Sequence, residues 1–172
     1  MRPSGARVAF PVIRLTWRDI ESIAAELATI IRLDGLPDCI VGLQRGGLVP
    51  AVMLSHRLGV RVIRVLDVSL TIDDSVLSAK RRQPVFGPLP HLGGIGDCDV
   101  LVVDDVAGSG ATLRATVSLL REYRPASIRT LVCALNTGRQ HDTRLLVSGS
   151  VTYVGCTAAG WFIFPWECSE SE

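Results

Sequence analysis

Apolar residues recur at helical spacing between Asp19 and Leu33, at Ile20, Ile23, Ala24, Leu27, Ile30 and Ile31, which predicts a helix packed along one face. Thr16 and Asp19 are spaced as a capping pair at its start. The short apolar run Cys39 to Leu43 leads into Gln44, Arg45, Gly46 and Gly47, and Pro50 then opens a helical pattern through Leu54 and Leu58 to Gly59. This reads as strand, glycine turn, helix. Val60 to Leu70, rich in Val and Ile with polar residues between them, predicts a second strand. Residues 71 to about 97 hold prolines, glycines and the cluster Lys80, Arg81 and Arg82, and are expected to form a long flexible lid loop.

Asp99 to Val103 is almost wholly apolar, as a strand covered on both faces should be, and two acids, Asp104 and Asp105, follow it. After a turn at 108 to 110, Leu113, Val117 and Leu120 mark a helix that ends before Pro125, and Ser127 to Leu135 predicts another strand. Strands alternating with helices imply an α/β fold with a mainly parallel central sheet flanked by helices, whose ligands bind at the carboxyl ends of the strands. Both glycine turns fall at such ends. The tail at 152 to 168, which holds Trp161 and Trp166, breaks the alternation and is expected to form a small C-terminal hood outside the sheet.

Composition adds limits to this pattern. A chain of 172 residues with 48% apolar content is the size of one domain, taken as residues 1 to 172, and has core enough to need neither disulfides nor metals. Its net charge of +1 gives no field for nucleic acid or an acidic membrane surface. Lys80 is the only lysine; every other basic residue counted in that charge is an arginine. Five cysteines, Cys39, Cys98, Cys133, Cys156 and Cys168, form no CxxC pair, so a reduced cytoplasmic protein is expected.

The segment VVDDVAGSGATL, residues 102 to 113, carries the clearest chemistry. A turn of small residues opening a helix presents backbone N–H groups and a helix dipole to an anion, and Ser109 and Thr112 add hydroxyls. Carboxylates beside a phosphate repel it unless they serve sugar hydroxyls or a divalent cation, so a phosphorylated, metal-bound sugar fits better than bare phosphate. Alternation along an extended chain would send Asp104 and Asp105 to opposite sides. Neither a dinucleotide fingerprint nor a P-loop is present.

These residues resemble the signature that binds 5-phosphoribosyl 1-pyrophosphate (PRPP) in type I phosphoribosyltransferases. IVGLQRGGLVPA (40 to 51) is similar to that family's pyrophosphate loop, and WFIFPWE (161 to 167) to the hood of xanthine-guanine and hypoxanthine phosphoribosyltransferases. The resemblance implies a Mg²⁺-dependent transfer of the phosphoribosyl group to a ring nitrogen of a purine-like base, of the 6-oxopurine salvage class, with release of pyrophosphate. It implies that Asp104 and Asp105 hold the ribose hydroxyls and the metal. Ala107, Gly108, Ser109, Gly110, Ala111 and Thr112 would hold the 5-phosphate, and Gln44, Arg45, Gly46 and Gly47 the pyrophosphate. Arg45, Lys80 and Arg81 would stabilise charge on the leaving group, while Trp161 would stack on the base, with the main chain near Phe162 and Ile163 reading its edge and Glu167 beside it. A homodimer or homotetramer is implied as well.

The base half of the site departs from the family. The 6-oxopurine enzymes carry an aspartate three residues after the second signature acid, where this chain has Gly108, and a lysine before the hood, where VCALN (132 to 136) has none. Such polar groups carry the largest discrimination factors. Transfer to a non-purine heterocycle, or a noncatalytic PRPP- or nucleotide-binding regulator on the same fold, are therefore the alternatives to purine transfer.

Overall fold

The computed structural model describes residues 11–71, 80–87, 92–138 and 150–167. In chain order the elements are β1 (Val12–Arg14), α1 (Trp17–Asp34), β2 (Cys39–Gln44), α2 (Leu48–Leu58), β3 (Ile63–Thr71), β4 (Lys80–Phe86), β5 (Asp99–Ala107), α3 (Ala111–Arg121), β6 (Ser127–Asn136), β7 (Tyr153–Ala158) and β8 (Trp161–Ile163).

Thr16 and Asp19 close the capping box that their spacing predicts. Asp19 N donates to Thr16 Oγ1 at 3.2 Å and Thr16 N to Asp19 Oδ2 at 2.7 Å. The buried stripe of α1 is Ile20, Ile23, Ala24, Leu27, Ala28 and Ile31; Ile30, expected in that stripe, is exposed.

Six strands form one sheet in the order β4-β3-β2-β5-β6-β7. All its pairings are parallel except β3 with β4. The period-two alternation of the strands sorts the core into two layers. Ile40, Leu101, Val103 and Leu131 face α1 and α2, together with Phe162 and Phe164. Val41, Val100, Val102 and Val132 face α3 through Leu113 and Leu120. Central strands buried on both faces account for the unbroken apolar runs at β2 and β5.

Two sequence expectations change. Of the segment expected as a lid loop, residues 72–79 and 88–91 lie outside the described residues, whereas Lys80–Phe86 is a strand antiparallel to β3, with Val68 opposite Phe86 and Ser69 opposite Val85. Its Pro84 and three cations disguise it, yet proline and charge are what an edge strand tolerates. The tail does not stand apart as one hood either. Tyr153–Ala158 joins the main sheet beside β6, and only Trp161–Ile163 leaves it, pairing in parallel with β1 (Val12 with Trp161, Arg14 with Ile163).

A polar tie fixes β7 at this edge. The Tyr153 hydroxyl donates to Asp34 Oδ2 at 2.9 Å and accepts from Arg129 Nη1 at 3.0 Å, joining the end of α1 to β6 and β7.

Candidate functional site

β2 and β5 are neighbours, with Gly42 opposite Val103, so the turns that follow them emerge side by side at the carboxyl edge of the sheet. From β2 the chain crosses through α2 to β3, and from β5 through α3 to β6 on the other side. Connections that diverge in this way leave a crevice between two strand ends, the usual ligand site of an open α/β sheet.

The first turn is Gln44 to Gly47. Gln44 and Arg45 are exposed, the peptide between them is cis, and Gly47 is the buried N-cap of α2. Its glycines are required by contact rather than by φ. A β-carbon at Gly47 would lie 2.9 Å from Asp104 Cα, and one at Gly46 would collide with the Asp105 carboxylate. The first turn therefore rests directly against the two acids.

β5 continues through both acids to the buried Ala107, longer than its apolar run predicts. Alternation does not isolate the carboxyl groups, for the charge of Asp105 still acts on Asp104. Asp105 N donates to Asp104 Oδ1 at 3.0 Å, and Val106 N to Asp105 Oδ1 at 2.6 Å. Burial raises both carboxyls above the usual carboxylate range. Asp104 is pushed well up, first by burial and then by the charge of Asp105, while Asp105 is pushed up to about 6 by burial and by the nearby charge of Glu167. Behind them burial, with the Asp105 charge added, drives the Cys133 thiol far up and keeps it inert.

The second turn runs from Gly108 to Gly110, the N-cap of α3 at φ 65°. Gly108 and Ser109 are half-buried, and Ala111 and Thr112 form the first residues of α3. Ser109 Oγ accepts from Ala111 N at 3.4 Å, and the Ser109 carbonyl accepts from Arg114 Nη1 at 2.9 Å. Arg114 is a site residue that sequence reasoning missed; its only signal is a cation five residues after the turn it holds.

Two adjacent half-buried carboxylates on a strand end suit Mg²⁺, which takes one or two carboxylates and completes its shell with water and substrate phosphates. Among the described residues there is no group of three or more His, Cys, Asp or Glu side chains that could cage a metal alone. The donor set therefore fits a cation shared with a bound phosphate.

Trp161 on β8 is half-buried, and its amide donates to Pro11 O at 2.7 Å. Phe162 is packed in the core, so its side chain cannot meet a base, and the Ile163 carbonyl already accepts from Leu15 N at 2.9 Å. Phe164 N donates to Glu167 Oε2 at 2.9 Å and Glu167 N to Phe164 O at 3.0 Å, so Glu167 closes its own turn. The Trp166 ring stacks on Phe164 at 4.8 Å and meets Trp17 at 6.0 Å. Lys80 and Arg81 stand at the start of edge strand β4, two strands from β2.

Xanthine-guanine phosphoribosyltransferase of Cereibacter sphaeroides is 32% identical over 162 residues, covering 89% of this chain and 85% of that protein. The enzyme of the same name from a Ruegeria species is 28% identical over 89% of this chain and 84% of its own length. The crystal structure of a purine phosphoribosyltransferase from Pyrococcus horikoshii superposes with a TM-score of 0.73 at 28% identity, over 94% of this chain and 97% of that one. Residues 15–172 match the family described as the phosphoribosyl transferase domain, and with twin acids and two glycine turns at one sheet edge, the chain belongs to that family.

Proposed function

We propose that this protein transfers the 5-phosphoribosyl group of PRPP to a ring nitrogen of a purine, of the 6-oxopurine class that its curated relatives are named for. The observation that carries the reading is the contact of Gly46 and Gly47 with Asp105 and Asp104. It sets a turn for pyrophosphate and a pair of acids for ribose within one crevice, beside the turn that opens α3.

The ribose 5-phosphate sits on the 107–112 turn, held by amides and by the hydroxyls of Ser109 and Thr112. The ribose hydroxyls donate to Asp104 and Asp105, which fixes C1 between the incoming nitrogen and the leaving pyrophosphate. Asp104 and Asp105 would also hold Mg²⁺, which would supply charge neutralisation on the pyrophosphate. Arg45 adds a guanidinium charge to the leaving group, and the charges of Lys80 and Arg81 add to it. The C1–O bond breaks as the C1–N bond forms, with positive charge spread over the ring oxygen and C1. The carboxylates stabilise that charge.

Trp161 stacks on the base, which selects a planar ring without naming it. Gly108 offers no carboxylate to the five-membered ring, so shape and main-chain contacts decide among purines. We place the activity in a single domain, working as a homodimer or homotetramer in the cytoplasm.

The test is pyrophosphate release from PRPP and Mg²⁺ with guanine, xanthine, hypoxanthine, adenine and several non-purine heterocycles. Turnover with a 6-oxopurine is expected. Turnover with a non-purine alone overturns the substrate class, and PRPP binding without any turnover overturns the transfer reading.

A further inference from the structure

We propose that the groove between α3 and the β6–β7 edge is a second anion site, which binds a small molecule carrying two or more phosphoryl charges and reports its occupancy to the 107–112 turn through Arg114. One wall is a single face of α3, on which Arg114, Ser118 and Arg121 follow at helical spacing. Ile128 and Thr152 stand on the opposite wall. The groove encloses about 330 Å³, and a smaller hollow of about 200 Å³ continues it past Arg121 to Arg124 and Ser127.

The charge of this groove is unbalanced. Among the described residues no carboxylate comes within ion-pair distance of Arg114, Arg121 or Arg124; the ion pair found among them joins Arg57 and Glu21 on the other face of the sheet. The acid that approaches is Asp99 at the far end, where it accepts from Ser127 Oγ at 2.5 Å. Thr130 Oγ1 is spent on the Ser150 carbonyl at 3.0 Å, whereas Thr152 Oγ1 accepts the Thr130 amide at 3.0 Å and keeps its proton for an acceptor in the groove.

Spacing sets the ligand. Arg114 and Arg121 lie two helical turns apart, roughly 10 Å along the axis, and Arg124 follows in the connection beyond the end of α3, so a single phosphate cannot engage both ends of the row. A molecule with phosphoryl groups at separated points, or a short phosphate chain, can. Val117 and Ile128 give its middle an apolar seat.

Arg114 connects this groove to the first site. Its Nη1 holds the Ser109 carbonyl at 2.9 Å, and Arg114 is also part of the groove lining. An anion that draws Arg114 into the groove releases that carbonyl and loosens the turn that opens α3. Occupancy of the groove and retention of PRPP therefore oppose each other, reciprocally. This coupling rests on the phosphate turn of the proposed function; binding in the groove does not.

The probe is inorganic tripolyphosphate, titrated by calorimetry in EDTA into the wild-type chain, Arg45→Gln, and Arg121→Gln/Arg124→Gln. In the wild type, two events are expected, one at Arg45 and one in the groove. The double variant should lose the groove event with at least a tenfold loss of affinity, as expected when two charge-assisted contacts go, and Arg45→Gln should keep it. Equal isotherms for wild type and double variant, or one event that vanishes with Arg45→Gln, overturn the site. In steady-state assays at fixed free Mg²⁺, tripolyphosphate should raise the KM for PRPP at least threefold in the wild type beyond what it does in the double variant. Inhibition identical in both overturns the coupling. An absence of turnover in every protein would strike the transfer reading, while the calorimetric titrations would still decide whether the groove binds.

Discussion

The carboxylate of Asp105 fills the space that a side chain at Gly46 would need. Gly46→Ala must therefore displace either the turn or the acid, and both are groups that a bound PRPP would touch at once. A misplacement of this kind costs about a hundredfold in rate. The expected result is a loss of at least that size in kcat/KM for PRPP, with the circular dichroism spectrum unchanged. A variant with near-normal kinetics would show that the turn and the acid do not act on one ligand.

Asp105 makes stability run against activity. Its carboxyl is raised to about 6, first by burial and also by the charge of Glu167, so between its unfolded value near 4 and that point the folded chain binds more protons than the unfolded one. Its contribution to stability is full below pH 4 and is lost as pH rises through 6. Asp105→Asn removes the cost of the buried charge, so at pH 8 the variant should be more stable by about 2 kcal/mol, or roughly 4–8 °C in Tm. The gain should shrink toward zero at pH 4, while PRPP binding measured by calorimetry collapses. A variant less stable than wild type at pH 8 would mean that the carboxylate is satisfied by contacts that burial does not describe.

Much of this was legible because the sheet writes itself in the sequence. Runs such as Cys39–Leu43 and Val100–Val103 are apolar throughout because both faces are covered, and each is followed by a turn whose small residues have no other reason to cluster. Thr16 and Asp19 announce their helix start by chemistry local to four residues. What stayed hidden depends on neighbours distant in sequence. The edge strand β4 satisfies one partner only, so its lysine, arginines and proline carry no strand signal. Tyr153–Ala158 reads as tail until its pairing with β6 is known. The influence of Asp105 on Asp104 runs against simple alternation, because the Asp104 carboxylate bends back to accept the Asp105 amide at 3.0 Å.

Trp161 is half-buried on a short strand that pairs with β1 rather than with the main sheet, so its ring can be removed without opening the core beneath Phe162 and Phe164. If it stacks on the base, Trp161→Ala should raise the KM for the base about tenfold or more, since stacking is worth ~1–3 kcal/mol, and leave the KM for PRPP within about twofold. Equal increases in both constants would assign Trp161 to holding β8 in place rather than to the base.

Gly108 stands where the 6-oxopurine enzymes that the sequence resembles carry an aspartate. Unlike Gly110, at φ 65°, it lies outside the left-handed region, so its backbone accepts a side chain without strain. An aspartate at this point, half-buried and three residues beyond Asp105, would offer an acceptor to a protonated ring nitrogen, the kind of buried polar contact that separates related substrates by large factors. Gly108→Asp should therefore raise kcat/KM for guanine, xanthine or hypoxanthine by at least tenfold over the parent chain, with the KM for PRPP little changed. A fall in turnover with every purine, at unchanged PRPP affinity, would mean that the base lies elsewhere in the crevice and that the glycine is required for its approach.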